Sequence, residues 1–239
     1  MKNNYKKLPR MLIVLIIIMI YCGLFIYNNL SKNKQINDSK DSYGYIPLGD
    51  SYTIGLWVLK SHRWPNIMVE NFAKEGIKIN ILENPAISGN TVRDVINYQL
   101  PVLETYKPDF VTLFIGINDT FFQTDVGVFE HNYKELLDRI QKLLLKPKNI
   151  VLITIPDYSK FPVFKNSHRV SSSKYISSYN EVIVKESIER GLVLADIYPL
   201  SQEMTDEDDF VFDGFHPSRK GYIKWEKIIY PKVKELLLK

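Results

Sequence analysis

Cysteine is almost absent from this chain of 239 residues. The one cysteine, Cys22, has no second thiol to pair with, so no disulfide forms within the chain. A chain of this length, with 45% hydrophobic residues, can bury a substantial core without one. The lack of disulfides therefore does not by itself indicate the cytoplasm. Internal repeats are lacking too, which excludes solenoid and fibrous architectures.

A charge excess is missing from most of the chain. Residues 1–42 carry seven basic and two acidic side chains, whereas the other 197 residues carry 24 basic and 25 acidic ones. A nucleic-acid-binding domain needs a basic face of its own, so we expect no nucleic acid among the partners. The basic excess of the whole chain belongs to its N-terminal segment.

Long apolar runs are also scarce, and the one present extends from Met11 to Tyr27. As a helix it would span about 26 Å, close to the short limit for crossing a bilayer. The basic residues before it should stay in the cytoplasm and place the following domain outside, so that a helix holds the protein in the cell membrane. We expect a cytoplasmic basic tail, a transmembrane signal anchor, a polar linker and an extracytoplasmic folded domain, at residues 1–10, 11–30, 31–42 and 43–239.

Two alternatives to this single-pass anchor stay open. Cleavage as a signal peptide would release a secreted domain, but Tyr21 and Tyr27 leave no clear pair of small residues at a cleavage site. Lipid attachment to Cys22 after cleavage needs a small residue before the cysteine, and Tyr21 is bulky. The length of the run favours the uncleaved anchor.

Five short runs predict β-strands, and helical stretches separate them. Strands that alternate with helices indicate a parallel sheet covered on both faces. The second run alternates isoleucine with Lys78 and Asn80, which predicts an edge strand, and Pro47 inside the first run predicts a distortion or a missing ladder bond. The predicted strands are Tyr45–Leu48, Ile77–Leu82, Phe110–Ile115, Ile150–Ile155 and Leu192–Ala195.

Four short motifs follow these strands. Ligands of open parallel sheets bind at the carboxyl ends of the strands, so residues that follow several strands can gather at one edge. Each motif alone is weak, because strings of Gly, Asp and Ser occur in ordinary loops. The motifs are Gly49-Asp50-Ser51-Tyr52, Ser88-Gly89-Asn90, Gly116-Ile117-Asn118-Asp119 and Asp213-Gly214-Phe215-His216-Pro217.

Together the motifs supply the groups of a serine hydrolase. Ser51 is the candidate nucleophile, His216 the general base, and Asp213 the carboxylate that would fix the imidazole tautomer. The backbone N–H groups of Ser51 and Gly89 and the side chain of Asn118 are candidate oxyanion donors. Taken singly, these residues also fit a helix cap, a turn glycine, a loop asparagine and an Asp-Gly turn.

The four motifs resemble those of the GDSL lipase/acylhydrolase family in its SGNH hydrolase form. Ser51, Gly89, Asn118 and His216 match the residues that name this form, and Asp213 matches the aspartate of its DxxH block. Tyr52 stands where leucine is usual. The resemblance implies a three-layer α/β/α sandwich of flavodoxin-like kind with a five-stranded parallel sheet. It also implies hydrolysis of esters through an acyl-enzyme at Ser51.

Aromatic residues near the motifs bear on the substrate. They suit a lipid or lysophospholipid ester, while an O-acetyl ester of a cell-surface polysaccharide, or another small-molecule ester, stays open as the alternative. Ordinary loop packing would explain the same residues. The candidate substrate-binding residues are Phe121, Phe122, Phe161, Phe164 and Phe215.

We expect no metal and no organic cofactor, because the sequence has no His/Cys/Asp cluster with metal-ligand spacing. The acidic run at residues 206–209 fits a solvated loop. A catalytically silent, membrane-anchored binding module is a rival hypothesis, although a decayed enzyme would usually have lost a working residue. Peptidase and thioesterase activities on the same triad also stay open.

Overall fold

The computed structural model of the protein describes residues 42–164 and 172–238. Within those two ranges, no helix combines the length and the hydropathy needed to cross a membrane. The predicted basic tail, signal anchor and nearly all of the linker lie outside the described residues, as does Cys22.

The described residues form one five-stranded parallel sheet with the strand order β2-β1-β3-β4-β5. All residues of β3 and β4 are buried, which is expected where helices cover both faces of a parallel sheet. The prediction of five parallel strands is confirmed. The strands are β1 (Tyr43–Gly49), β2 (Ile79–Ile81), β3 (Phe110–Phe114), β4 (Ile150–Ile153) and β5 (Val193–Ala195).

The edge position predicted for the second strand is confirmed. At Pro47 the pairing with β3 is not distorted, and the other predicted outcome, a missing ladder bond, fits the pairing with β2. Pro47 stays in register with Thr112 of β3. Residues of a parallel strand bond alternately to one neighbour and the other, and Tyr45, two residues earlier, bonds towards β2. The missing N–H of Pro47 would point the same way, and the pairing of β1 with β2 ends at Ile81. The pairing therefore ends where Pro47 can donate no ladder bond.

Two groups of helices pack against the sheet. The helices are α1 (Ser51–Ile54), α2 (Trp64–Lys74), α3 (Val92–Asp94), α4 (Leu100–Tyr106), α5 (Ile117–Phe121), α6 (Val126–Leu143), α7 (Ser173–Arg190), α8 (Tyr198–Gln202) and α9 (Arg219–Leu237). In one group α2 packs on α9, and in the other α4 and α7 both pack on α6. A π-helical turn, Val95–Gln99, joins α3 to α4.

The chain order places all four motifs at the carboxyl edge of the sheet. Ser51 follows β1, Gly89 lies in the loop after β2, and Asn118 follows β3. The segment from Asp213 to His216 comes after β5 and α8 and directly precedes α9. Parallel strands bring their carboxyl ends to one side, so residues far apart in sequence meet there.

Candidate active site

Ser51 is the first residue of α1 and lies two residues after the end of β1. The N-cap of this helix is Asp50, whose Oδ1 accepts a hydrogen bond from the N–H of Tyr52 at 3.0 Å. Because Asp50 caps the helix, the hydroxyl of Ser51 is left for another partner. Its side chain is nearly buried and faces the loop before α9.

A histidine and an aspartate continue from this hydroxyl in a chain of hydrogen bonds. Nε2 of His216 lies 3.0 Å from Oγ of Ser51, and Nδ1 lies 2.6 Å from Oδ2 of Asp213. Oδ1 of Asp213 accepts the N–H groups of Phe215 and His216, each at 2.9 Å. Partial burial would raise the pKa of Asp213, but the hydrogen bonds from His216 and the two backbone N–H groups hold it below its usual value. Asp213 is therefore an ionised partner for the imidazole.

The three predicted oxyanion donors have different surroundings. Among the described residues, neither the N–H of Ser51 nor that of Gly89 has an acceptor. Gly89 has a φ of +84°, which favours glycine, and a Cβ there would meet open space. Nδ2 of Asn118 donates to the carbonyl of Asn90 at 2.9 Å and makes a longer contact of 3.4 Å with Oδ2 of Asp50.

Two buried carboxyls lie beneath these donors. Burial raises the pKa of Asp50 to about 7, against the hydrogen bond from the N–H of Tyr52, and the charge of Asp119 adds to the rise. Burial also raises the pKa of Asp119 to about 6, against the hydrogen bond that its Oδ2 accepts from the N–H of Val92. Both side chains thus connect loops that follow different strands.

Gln99 is a further residue of the site, and the sequence analysis missed it. Its Nε2 donates to the carbonyl of Gly49 at 2.7 Å and to Oδ1 of Asn90 at 2.8 Å, while its Oε1 accepts the N–H of Gly49 at 3.0 Å. The side chain is fully buried at the end of the π-helical turn. A glutamine among the apolar residues Val95, Ile96 and Leu100 was the available signal.

Tyr52 supports the histidine from below. Its hydroxyl donates to the carbonyl of Phe215 at 3.3 Å, and its ring meets that of His216 edge-on with centroids 5.5 Å apart. The indole of Trp64 donates to the carbonyl of Tyr52 at 3.1 Å. The tyrosine at this position therefore fixes the loop that carries the imidazole, which a leucine could not do with a hydrogen bond.

Aromatic rings line the side of the site next to Asn118. Phe121 is 39% exposed, stacks on Tyr158 with centroids 4.7 Å apart, and lies 5.4 Å from the ring of Phe215. Phe164 lies 5.8 Å from Phe215, and Phe122 is exposed to solvent. Phe121, Phe164 and Phe215 thus form one aromatic cluster beside the site, and substrate contact by these residues and by Phe122 stays a prediction.

Phe161 departs from the prediction. It is fully buried and packs on Phe210, with ring centroids 4.5 Å apart. A buried ring offers no surface to a ligand, so Phe161 is not positioned to contact substrate directly. The residue lies beneath Phe215 instead, at 6.4 Å between centroids.

The acidic run forms a short 3-10 turn, Glu207–Asp209. Its last member, Asp209, is buried and binds Nζ of Lys224 at 2.5 Å, so this end of the run is not the solvated loop that was predicted. In residues 42–164 and 172–238, no group of three or more His, Cys, Asp or Glu side chains could hold a metal ion.

A serine, a histidine and an aspartate, hydrogen-bonded in series at the carboxyl edge of a parallel sheet, define a serine hydrolase. The chain belongs to the GDSL-like lipase/acylhydrolase family, whose family model matches residues 48–223. It is therefore an ester-bond hydrolase of the GDSL type.

The chain is similar to an arylesterase in sequence and to two solved structures in fold. An arylesterase of Vibrio mimicus is 22% identical over 182 residues, which are 75% of this chain and 82% of the arylesterase. The crystal structure of TesA superposes with a TM-score of 0.66 at 21% identity, over 81% of this chain and 99% of TesA. The acetylxylan esterase Axe2 of Geobacillus stearothermophilus superposes with a TM-score of 0.63 at 21% identity, over 82% and 96% of the two chains. These two likenesses show the shared fold.

Proposed function

We propose that the protein is a serine esterase that cleaves carboxylic esters of the lipid or lysophospholipid type through an acyl-enzyme at Ser51. The observation that carries this proposal is the continuous hydrogen-bond chain from Ser51 through His216 to Asp213. Its two distances are within the range that proton transfer between a nucleophile and its base requires.

The first half of the reaction transfers the acyl group to the enzyme. Nε2 of His216 takes the proton of Ser51 as Oγ attacks the ester carbonyl, and the imidazolium is stabilised by ionised Asp213. The C–O bond to the alcohol then breaks, and the same proton passes from Nε2 to the leaving oxygen. In the second half, Nε2 of His216 takes a proton from water as the water oxygen attacks the acyl-enzyme. The bond between the acyl carbon and Oγ of Ser51 then breaks, the proton passes from Nε2 to Oγ, and the acid is released.

Three hydrogen-bond donors are assigned to stabilise the negative charge that develops on the carbonyl oxygen. The N–H groups of Ser51 and Gly89 are unpaired among the described residues and are available to it. The amide of Asn118 would exchange its long contact with Asp50 for the substrate oxygen, while its bond to the carbonyl of Asn90 holds the side chain in place. Donors held in position before the reaction stabilise the developing charge most effectively.

Apolar side chains around the site support a lipid substrate. Besides Phe121 and Phe122, three more large hydrophobic residues are exposed in segments that follow strands at this edge, namely Leu59, Ile87 and Val163. Exposed apolar surface that borders a catalytic site favours apolar ligands.

A second candidate, an O-acetyl esterase acting on cell-surface polysaccharide, is supported by the likeness to acetylxylan esterases in the fold. Acetyl esters and long-chain esters of one alcohol would separate the two candidates. Lipid specificity predicts a kcat/KM that rises with acyl length, and a strong preference for acetyl would favour the polysaccharide candidate instead.

An organophosphonate probe tests the nucleophile in the full chain. The probe should label the wild type at Ser51 and leave Ser51→Ala unlabelled. Ser61→Ala is the matched control, since Ser61 is exposed and lies outside the site, and it should label like the wild type. Equal labelling of Ser51→Ala would refute the assignment. An unlabelled wild type that hydrolyses no ester would indicate the silent binding module.

The location proposed for the domain is the outer side of the cell membrane, held by a signal anchor at residues 11–30. The apolar run and its basic flank support this location. Protease treatment of intact cells should digest the domain. In untreated cells, the domain should be recovered with the membrane fraction. Recovery of the domain from the medium would indicate the secreted alternative.

A further inference from the structure

Two exposed aromatic rings lie beside the catalytic segments and are not used in the mechanism above. Trp57 is 61% exposed and Phe212 is 83% exposed, and their rings meet at 60° with centroids 5.3 Å apart. Trp57 follows α1, which begins with Ser51, and Phe212 directly precedes Asp213. We call these two rings the aromatic pair.

The backbone at Trp57 is unfavourable for a tryptophan. Its φ is +67°, in the left-handed region, at the third position of a turn closed by the N–H of Val58 and the carbonyl of Gly55 at 3.3 Å. Glycine or asparagine normally occupies such a position, and a bulky residue there costs conformational free energy. The exposed side chain recovers little of this by packing. A strained residue with an exposed ring beside a catalytic site suggests a role in binding.

The turn that holds Phe212 belongs to the loop of the general base. The N–H of Val211 binds the carbonyl of His216 at 2.8 Å, and the N–H of Gly214 binds the carbonyl of Val211 at 2.9 Å. Phe212 therefore moves with the imidazole rather than as part of a free loop.

The chemistry of the reaction decides which half of the ester lies near this turn. Nε2 of His216 must give its proton to the oxygen that leaves, so the alcohol portion of the ester lies against the histidine loop. Phe121 lies on the side of Asn118, three residues further along α5, and is left for the acyl portion.

We propose that Trp57 and Phe212 form a binding platform for the alcohol portion of the substrate, and that this portion carries a ring-sized apolar face. The C–H face of a sugar ring and a hydrocarbon ring share this chemistry. Aromatic side chains bind such faces with large contact area and little loss of side-chain entropy. The platform rests on the proposed esterase function and names a specificity that this function leaves open.

Trp57→Gly separates binding from folding. Glycine adopts a φ of +67° without cost, so the melting temperature should stay the same or rise. The ratio of kcat/KM for cyclohexylmethyl acetate to kcat/KM for ethyl acetate should fall on the order of tenfold, because only the larger alcohol reaches the platform. Phe212→Ala should lower the same ratio. Methyl 6-O-acetylglucopyranoside as a third substrate distinguishes a sugar from a hydrocarbon as the natural ring.

Matched controls come from the amino ends of the strands, opposite the active site. Lys107→Gly removes a side chain with a φ of +46° just before β3, and Leu145→Ala removes an exposed hydrophobic side chain before β4. Neither substitution should change the ratio.

Three outcomes would overturn the platform. The first is an unchanged ratio in both Trp57→Gly and Phe212→Ala. The second is a lowered melting temperature in Trp57→Gly with an equal loss of kcat/KM on all esters, and the third is a loss of kcat/KM that follows acyl length in a series of ethyl esters.

If the wild type reacts with the phosphonate probe, the esterase proposal stands in each of these three cases. A wild type that neither reacts with the probe nor hydrolyses an ester overturns both.

Discussion

The side chain of Gln99 binds both backbone groups of Gly49, the residue at the end of β1 and two positions before the nucleophile. The same side chain also binds Asn90, which follows the oxyanion glycine and whose carbonyl holds Asn118. One buried amide therefore sets the distance between the nucleophile and two of its oxyanion donors.

Gln99→Leu should lower kcat about 10- to 100-fold, since small displacements of catalytic groups have effects of this size. It should also destabilise the fold by about 1–3 kcal/mol for each backbone group of Gly49 left unpaired. The measurement is kcat per site titrated with the phosphonate, which counts folded enzyme only. Gln141→Leu is the control, because Gln141 binds the carbonyl of Pro147 before β4, far along the chain from the site. A normal kcat in Gln99→Leu would show that the hydrogen bonds of Gln99 are only structural.

Tyr52→Phe removes one hydroxyl beneath the histidine loop. We expect kcat to fall about three- to tenfold with KM unchanged, as loss of a hydrogen bond worth about 1 kcal/mol predicts. Tyr45→Phe is the control, since its buried hydroxyl binds Thr112 at 2.7 Å between β1 and β3. It should lower the melting temperature and leave kcat as it is. Equal effects of the two substitutions on kcat would contradict a positioning role for Tyr52.

Asp213→Asn keeps the size of the side chain and removes its charge. An amide facing Nδ1 of His216 favours the tautomer with the proton on Nε2, which cannot accept the proton of Ser51. We expect kcat to fall by roughly 10³–10⁴ and phosphonate labelling to slow in parallel. The melting temperature, recorded on the same samples, excludes unfolding as the cause. A kcat within tenfold of the wild type would argue that another group orients the imidazole.

Stability should fall as the pH rises from about 4 to 7. Asp50 and Asp119 keep their protons in the folded state up to pKa values of about 7 and 6, whereas in the unfolded chain they lose them near 3.8. A raised folded-state pKa gives stability that is complete below the unfolded value and is lost through the folded one. Asp213 acts in the opposite sense, because its pKa is lowered and its contribution is lost at acid pH.

Asp50→Asn should reduce this slope, since asparagine does not titrate but still offers an acceptor to the N–H of Tyr52. Melting temperatures from pH 4 to 8 provide the measurement. Asp125→Asn is the control, because Asp125 is the exposed N-cap of α6 and asparagine caps helices equally well. The pKa assignment fails if the slopes of Asp50→Asn and the wild type coincide.

Part of the fold followed from local patterns. The apolar runs around Phe110–Phe114 and Ile150–Ile153 predicted buried strands, and the alternation in Ile79–Ile81 predicted the edge strand. At Pro47 the sequence left two outcomes open, a distortion of the strand or a missing ladder bond, and the choice between them depends on where the neighbouring strand ends. That information lies in the register between β1 and β2.

The site divides in a similar way. Ser51, His216 and Asp213 could be named from their motifs, because parallel strands carry such residues to one edge. Gln99 and Tyr52 could not be given a role, since their partners Gly49, Asn90 and Phe215 are defined by distances across loops. Phe161 and Trp57 are likewise both aromatic residues that the sequence does not distinguish, yet Phe161 is buried and Trp57 is exposed.

The sequence by itself determined the residue types available for chemistry and the order in which they follow the strands. Side-chain periodicity and motif spacing carry this information, because both depend on neighbours along the chain. Only the tertiary structure decided which buried polar groups pair and which aromatic rings reach solvent. Those outcomes depend on strand order, register and loop path, which bring together residues as far apart as Ser51 and His216.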